Sequence, residues 1–385
     1  MTATVHCQVR IALLRDVVEF DRDAVQPEAI ESGTYYLGLE HLSGEGKILK
    51  RVNLTAGDLA STKFRFTPEH VLYGKLRPYL RKVVRPDFVG ICSTDIIPMR
   101  PGPDVDRDYL YHWLRTPEIV ALADSRSSGA NLPRISPTVM GEFEIPLPPL
   151  PEQKRIAVVL DKAFEIQHKS ARISEDGDRM ARSIFDHRFK PWINEKSSRA
   201  FIELCDPLVD CRNKTAPYEE AGIPLIRTSN FRNCRLDLET TVYVSEATNK
   251  IWSARYRPSP GDIVYCREAP FGMAAMIPND TYPCLGQRIM VAHANVSVVR
   301  PLYLLYALNS SFVRRQADQC AVGATVRHLR VKDVEELRIP VPPLAVQEVF
   351  ENLIVKLGSI TTKVERLAAS AAAMCGTLRQ LCFKV

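Results

Sequence analysis

The sequence predicts an α+β protein made by internal duplication: two similar mixed α/β units, each followed by one long helix, in a pseudo-two-fold repeat. Three observations predict it. Ile145–Leu150 reads IPLPPL and Ile339–Leu344 reads IPVPPL, 194 positions later. The same offset pairs Gly129-Ala130 with Gly323-Ala324, and Leu110, Leu114 and Asp124 with Leu304, Leu308 and Asp318. Behind each proline motif runs a stretch with apolar or small residues three and four apart, the helical period. The spacing is far longer than that of stacked solenoid repeats, so the pattern is a duplication of domains.

The elements follow in order. In the first unit, Thr34–Leu37 and His70–Tyr73 are β-rich runs between turns, and Tyr109–Leu122 has a helical pattern. Pro68–Tyr73 (PEHVLY) has its counterpart in Pro260–Tyr265 (PGDIVY), and Leu14-Arg-Asp16 in Leu204-Cys-Asp206; the slightly smaller offsets imply loop insertions between matched elements. The second unit repeats the scheme with Ile223–Ile226, Asp262–Tyr265, Arg288–Val291 and a helix over Leu302–Ala317. After Pro149 and Pro151, prolines tolerated in a first helical turn, the period runs through Ile156, Leu160, Ala163, Ile166, Ser170, Ile173, Gly177, Met180 and Ile184. The last stretch alternates steps of four and three through Leu353, Leu357, Ile360, Val364, Leu367, Ala371, Met374, Leu378 and Leu381, a heptad. From Ala345 to Cys382 such a helix is about 55 Å long. A long helix with one apolar stripe needs a partner, and the other periodic helix supplies it. The expected seam is Ile156, Leu160, Ala163 and Ile173 against Leu353, Leu357, Ile360, Val364, Leu367, Met374 and Leu378. The expected boundaries are 1–147 for the first unit, 148–196 for the first helix, 197–341 for the second unit and 342–385 for the second helix.

Composition narrows the function classes. The 385 residues are 45% hydrophobic and 25% charged, with net charge +6 and a pI near 8.7. The mild basic excess permits a polyanionic partner without requiring one. No run of about 18 apolar residues predicts a membrane span, and the N-terminus lacks the apolar core of a signal peptide. Ten cysteines without CxxC pairs or a histidine cluster do not read as a zinc site, and fit a reducing cytoplasm. No P-loop, no glycine-rich dinucleotide fingerprint and no Asn/Asp-Pro-Pro-aromatic tetrapeptide occurs. Asp87, Glu152 and Lys154 are too dispersed for a nuclease carboxylate–lysine set. No catalytic residue, metal site or cofactor is therefore expected on this chain.

Recognition reads better. In Tyr73–Lys82, Lys75, Arg77, Arg81 and Lys82 flank Tyr73 and Tyr79; basic loop residues can neutralise phosphates. The matching segment of the second unit keeps Arg267 and loses most of the basic run. Arg227, Thr228, Ser229 and Asn230 offer donors and an amide suited to base edges. Gln287, Arg288, Arg327 and His328 add polar loop candidates, with Ser93, Thr94 and Arg134 at the equivalent positions of the first unit. The plain alternative for each is a solvated surface loop. The units share a framework and differ in loop chemistry, as expected if they read two different sequences.

At these residues the chain resembles the specificity subunits of type I restriction–modification enzymes. IPLPPLPEQKRIAVVLD at Ile145–Asp161 is similar to the segment leading into that family's central helix, and IPVPPL at Ile339–Leu344 to its second copy. YLGLEHL at Tyr36–Leu42, LYGKLRPYLRKV from Leu72 and IPLIRTSN at Ile223–Asn230 are similar to its target-recognition domains. Pro151-Glu-Gln153 becomes Ala345-Val-Gln347 in the second copy, a departure at structural positions. The resemblance implies two target-recognition domains separated by two long antiparallel coiled-coil helices. Each domain would read one half of a bipartite double-stranded DNA target. The helices would fix the spacer and dock two modification (methyltransferase) subunits that bring S-adenosylmethionine, with restriction/translocase subunits bringing ATP and Mg. Alternatives are a specificity subunit of a type II restriction–methylation enzyme, a coiled-coil adaptor without a DNA role, and an orphan nuclease.

Overall fold

A computed structural model describes residues 9–268, 270–323 and 327–383, with only the backbone at Leu381. Ala324 of the second Gly-Ala pair and the Leu381 side chain lie outside the described residues. The chain divides into two compact units, Met1–Lys169 with Arg366–Val385, and Ser170–Glu365.

In the first unit, β1 (Arg10–Leu13) leads to β2 (Val18–Phe20), β3 (Val71–Gly74), β4 (Val83–Val84) and β5 (Ile96–Pro101). The four strands β2–β5 form an antiparallel sheet in the order β2-β5-β3-β4. Two helices follow, α1 (Arg107–Leu114) and α2 (Pro117–Ser125), and then β6 (Glu144–Leu147), which pairs antiparallel with β1. Asp106 caps α1 by accepting the Asp108 and Tyr109 N–H groups, and Thr116 caps α2 by accepting from Ile119. A second, five-stranded sheet contains Lys63–Phe66, Gly90–Cys92 and Tyr35–Leu37. The helix α3 spans Leu150–Arg188.

The second unit repeats this plan. β7 (Ser198–Ala200) precedes β8 (Cys205–Asp210), β9 (Ile263–Cys266), β10 (Met273–Met276) and β11 (Ile289–Ala294). β8–β11 form a sheet in the order β8-β11-β9-β10, the topology of the first. Then come α4 (Pro301–Leu308), α5 (Ser311–Cys320), β12 (Arg338–Pro340), paired with β7, and α6 (Leu344–Phe383). The second sheet is shorter, with three strands.

The proline motif has a physical role that explains its recurrence. Gln153 Nε2 donates to the Asp104 and Pro148 carbonyls (2.9 and 2.8 Å), and its Oε1 accepts from the Asp106 N–H (2.8 Å). Gln347 does the same with the Val298 and Pro342 carbonyls (3.3 and 2.8 Å) and the Arg300 N–H (2.8 Å). The Tyr109 and Tyr303 hydroxyls donate to Pro146 (2.6 Å) and Pro340 (2.8 Å), the motif's own carbonyls. A buried glutamine with all its partners satisfied locks the helix start to the strand–helix corner.

Each unit contains an antiparallel helix pair. In the first, Ile156, Leu160 and Ala163 of α3 share a core with Ala371, Cys375 and Leu378 of α6. In the second, Ala181 and Phe185 share a core with Phe350, Ile354 and Leu357, and the Ser174 hydroxyl donates to Glu365 (2.8 Å). The expected seam and the buried stripe differ in register. Ile156, Leu160, Ala163, Leu357 and Leu378 face inward, and Val364 is half-buried. Ile173, Ile360, Leu367 and Met374 are exposed, Leu367 at 66%, and Leu353 is only half-buried beside Ile354. The seam takes Ile354, Thr361 and Cys375 in place of Leu353, Ile360 and Met374, and includes Ala371 of the heptad, with Ser170, Gly177 and Ala181 opposite in α3. The two registers share every second contact and differ by one residue at the rest. Small residues at the contact let the helices approach closely, and this outweighs burial of the larger Leu367 and Met374. Among the described residues no helix is long and apolar enough to cross a membrane.

Candidate nucleic-acid interface

In each unit three separate segments meet at one loop cluster. In the first, Leu76 and Ser128 both bridge to Arg134, the Arg77 N–H donates to Pro133 (2.8 Å) and the Ile135 N–H to Lys75 (3.1 Å). In the second, Glu268 and Val322 both bridge to His328, and the Leu329 N–H donates to Arg267 (2.8 Å). These bridges join equivalent positions of the repeat. The third segment comes from the sheet: the Lys75 N–H donates to Asp95 (2.9 Å), and the Arg267 N–H to Arg288 (2.8 Å).

The two clusters differ in charge at one turn, where Asp95 of the first unit corresponds to Arg288 of the second. Asp95 accepts from Arg134 Nε (3.1 Å) and lies 3.5 Å from Lys75 Nζ. At the equivalent turn of the second unit Arg288 pairs with Glu268 (2.8 Å). Sequence reasoning missed Asp95: the 194-residue offset sets Thr94 opposite Arg288, and the backbone bonds to Lys75 and Arg267 shift that match by one residue.

Most of the expected contact residues lie in or beside these clusters. Arg77 is exposed, its backbone is left-handed (φ 52°), and no described residue accepts from its side chain. It stands beside the exposed Tyr79 and Leu80. Thr94 is exposed; Ser93 accepts the Asp95 N–H (3.2 Å). Gln287 donates to the Thr215 hydroxyl (3.1 Å), and Arg327 lies over the Phe271 ring (4.9 Å) and 3.6 Å from Asp318. Arg227 lies over Tyr218 (5.9 Å) and donates to the Thr240 carbonyl (3.3 Å); Thr228 is half-buried and Ser229 exposed.

Five expected residues do other work. Tyr73 is 2% exposed in the sheet core, and burial raises its hydroxyl pKa. Asn230 is fully buried: its Oδ1 accepts the Arg227 N–H (2.8 Å) and its Nδ2 donates to Asp237 (2.8 Å), closing a turn. Arg267 is 4% exposed, paired with Asp210 (2.7 Å) and donating to Leu329 (3.0 Å). Lys82 Nζ donates to the Leu39 carbonyl (2.6 Å), and Arg81 and Arg115 each donate to the other's carbonyl (3.2 Å). Tyr73 packs in the core, and in the other four, side chains capable of binding DNA instead satisfy backbone groups or a buried acid, which a sequence pattern does not distinguish.

An ionic cluster holds the first recognition fold to α3. Arg85 donates both Nη groups to Asp161 (3.0 and 2.8 Å) and stacks on Tyr111 (4.1 Å); His112 Nε2 lies 2.9 Å from Asp161. Burial would raise the Asp161 pKa, but the hydrogen bonds from His112 and Arg85 and the Arg85 charge outweigh it and hold the carboxyl below the ordinary range. Burial lowers the His112 pKa against the opposing pull of Asp161.

Comparison with known proteins places this geometry. The profile of the family described as the type I restriction modification DNA specificity domain matches residues 78–175 and 210–367. The chain is 32% identical over 132 residues to the EcoDI specificity subunit of Escherichia coli, covering 34% of this chain and 29% of that one. It is 22% identical over 298 residues to the MjaVIII specificity subunit of Methanocaldococcus jannaschii, covering 72% and 68%. The fold is similar to that of a type I restriction–modification S subunit from M. genitalium, with TM-score 0.61, 13% identity, and 100% and 98% of the two chains covered. A chain from a structure of type I R-M system assembly and conformational transition gives TM-score 0.52 at 19% identity over 97% and 95%. With two repeat-related folds, paired helices and matched loop clusters, the chain belongs to the family of type I restriction–modification DNA specificity subunits.

Proposed function

We propose that this chain recognises a bipartite double-stranded DNA target, one half read by the loop cluster of each unit, and that it carries no chemistry itself. One observation supports this above the rest: the same segments converge in both units through the same bridges, while the side chains they present differ and the acid Asp95 of one turn is replaced by the base Arg288 in the other. A conserved frame with divergent loops is what reading two unlike half-sites requires.

The helices supply the second part of the reading. Ile166, Ile173 and Met180 of α3, and Ile360, Leu367 and Met374 of α6, recur at seven-residue intervals and are exposed. A second apolar face on a helix calls for a second partner. Two modification subunits are the proposed occupants, and they would bring S-adenosylmethionine; restriction/translocase subunits would bring ATP and Mg. The site of action is then the cytoplasm, and the helices serve as spacer between half-sites.

The test is to exchange the first unit's fold, residues 1–145, for that of a relative, and to map methylated sites genome-wide in cells carrying the modification subunit. One half of the target should change and the other persist. A change in both halves together would defeat the modular reading.

A further inference from the structure

The repeat exposes a difference between the units away from the DNA-reading loops. In the first unit the corner between the sheet, α1 and α3 is filled by the ionic cluster of Arg85, Asp108, His112 and Asp161. Strand pairing sets Val84 on Leu72 as it sets Ala275 on Val264, so Arg85 corresponds to Met276. The 194-residue offset makes Asp108, His112 and Asp161 correspond to Leu302, Tyr306 and Val355. All four of these line a cavity of about 650 Å³ in the second unit. Where one unit closes its corner with charge, the other leaves an apolar space of the size that holds small organic ligands.

We propose that this cavity binds a small amphiphilic amine, its apolar body against Met276, Leu302 and Val355 and its ammonium group on the Asp178 carboxylate. Asp178 lines the cavity, 18% exposed, and no described residue donates a hydrogen bond to it; the nearest cation is Arg235 at 3.6 Å. A carboxylate has about four acceptor sites, and leaving them unused in a half-buried place is costly. Burial raises its pKa, with Arg235 and Arg182 only partly offsetting that, in keeping with an anion short of partners. The Tyr306 hydroxyl, near Asp178 and Arg235, is likewise without a donor or acceptor among the described residues. Gly358 stands at the cavity wall. It lies inside α6, lines the cavity, and a Cβ there would meet nothing within 4 Å. Mid-helix glycine destabilises relative to alanine, and the repeat-equivalent residue is Phe164.

The experiment is titration calorimetry of the full chain with tryptamine, an aryl-alkyl amine, beside indole-3-propionate, its anionic counterpart. Tryptamine should bind at one site and indole-3-propionate should not. Asp178→Asn should weaken tryptamine binding about tenfold, the scale of a charge-assisted hydrogen bond. Binding should also fall as pH is lowered and Asp178 takes up a proton. Gly358→Leu should abolish binding while raising the melting temperature, because it fills open space and removes a helical glycine. Absence of saturable tryptamine binding overturns the proposal, as does equal binding by the Asp178→Asn chain. A Gly358→Leu chain that still binds, or that melts below wild type, overturns it as well.

Discussion

Arg77 holds a left-handed backbone (φ 52°), a conformation that favours glycine and costs other residues roughly 1–2 kcal/mol. No described residue accepts from its side chain, which points the function of the strain outward. Arg77→Ala should weaken DNA binding by the assembled methyltransferase and lower the slope of log affinity against log salt by about one, read by fluorescence anisotropy. Arg77→Gly should weaken binding equally and yet raise the melting temperature. Arg267 is the opposite case: its truncation leaves Asp210 without its cation, and Arg267→Ala should destabilise the chain by about 3 kcal/mol in denaturant titrations. His112 adds a pH dependence. Its folded pKa is depressed, so the unfolded chain binds the proton more readily. Its share of stability is complete above the ordinary histidine value of about 6.5 and declines as pH falls below it. Asp161, also depressed, loses its share only in stronger acid. The melting temperature should drop between about pH 7 and pH 5, and His112→Gln should flatten that drop.

The long helices present two faces of different chemistry. The inner face is narrow, with Ala371 and Cys375 in one unit and Gly177 and Thr361 in the other. The outer face carries the larger Ile360, Leu367 and Met374. Hydropathy alone would reverse these roles. Leu367→Lys should therefore change folding stability by no more than about 0.5 kcal/mol, while association with the modification subunit, followed by co-purification, is lost. Ala371→Leu, an apparently helpful hydrophobic change, should cost about 1–3 kcal/mol by overpacking the seam. If Leu367→Lys unfolds the chain instead, the inner and outer faces have been assigned the wrong way round.

At the scale of the molecule, the proposed spacer role makes helix length the relevant quantity. Seven residues added to one helix alone would throw the antiparallel pair out of step. Seven added both after Ser170 and after Glu365 would keep the heptad and lengthen the pair by about 10 Å, roughly three base pairs of DNA. Methylome mapping should then return both half-sites unchanged with a longer spacer. An active variant with the original spacer would mean that the modification subunits set the distance.

The duplication and the two long helices were legible in the sequence, because the repeat keeps the residues that satisfy the backbone; that the loops converge was not. Gln153 and Gln347 hold equivalent carbonyls, and Tyr109 and Tyr303 cap equivalent strands, so the motif recurs with its chemistry intact. Which residues of a loop face solvent was not legible. Arg77 and Arg267 are both arginines of the matched loops, yet Asp210 at 2.7 Å and the Leu329 carbonyl hold Arg267 inward. The seam register was half legible, since the two candidate stripes share every second position and differ by one residue at the others. Tertiary structure decided between them, because interhelical approach is limited by side-chain volume at the contact and not by hydropathy along the helix. It also decided that the corner closed by Arg85 and Asp161 in one unit stays open in the other. Whether a space is filled depends on atoms brought together from distant strands and helices, and local sequence carries no record of them.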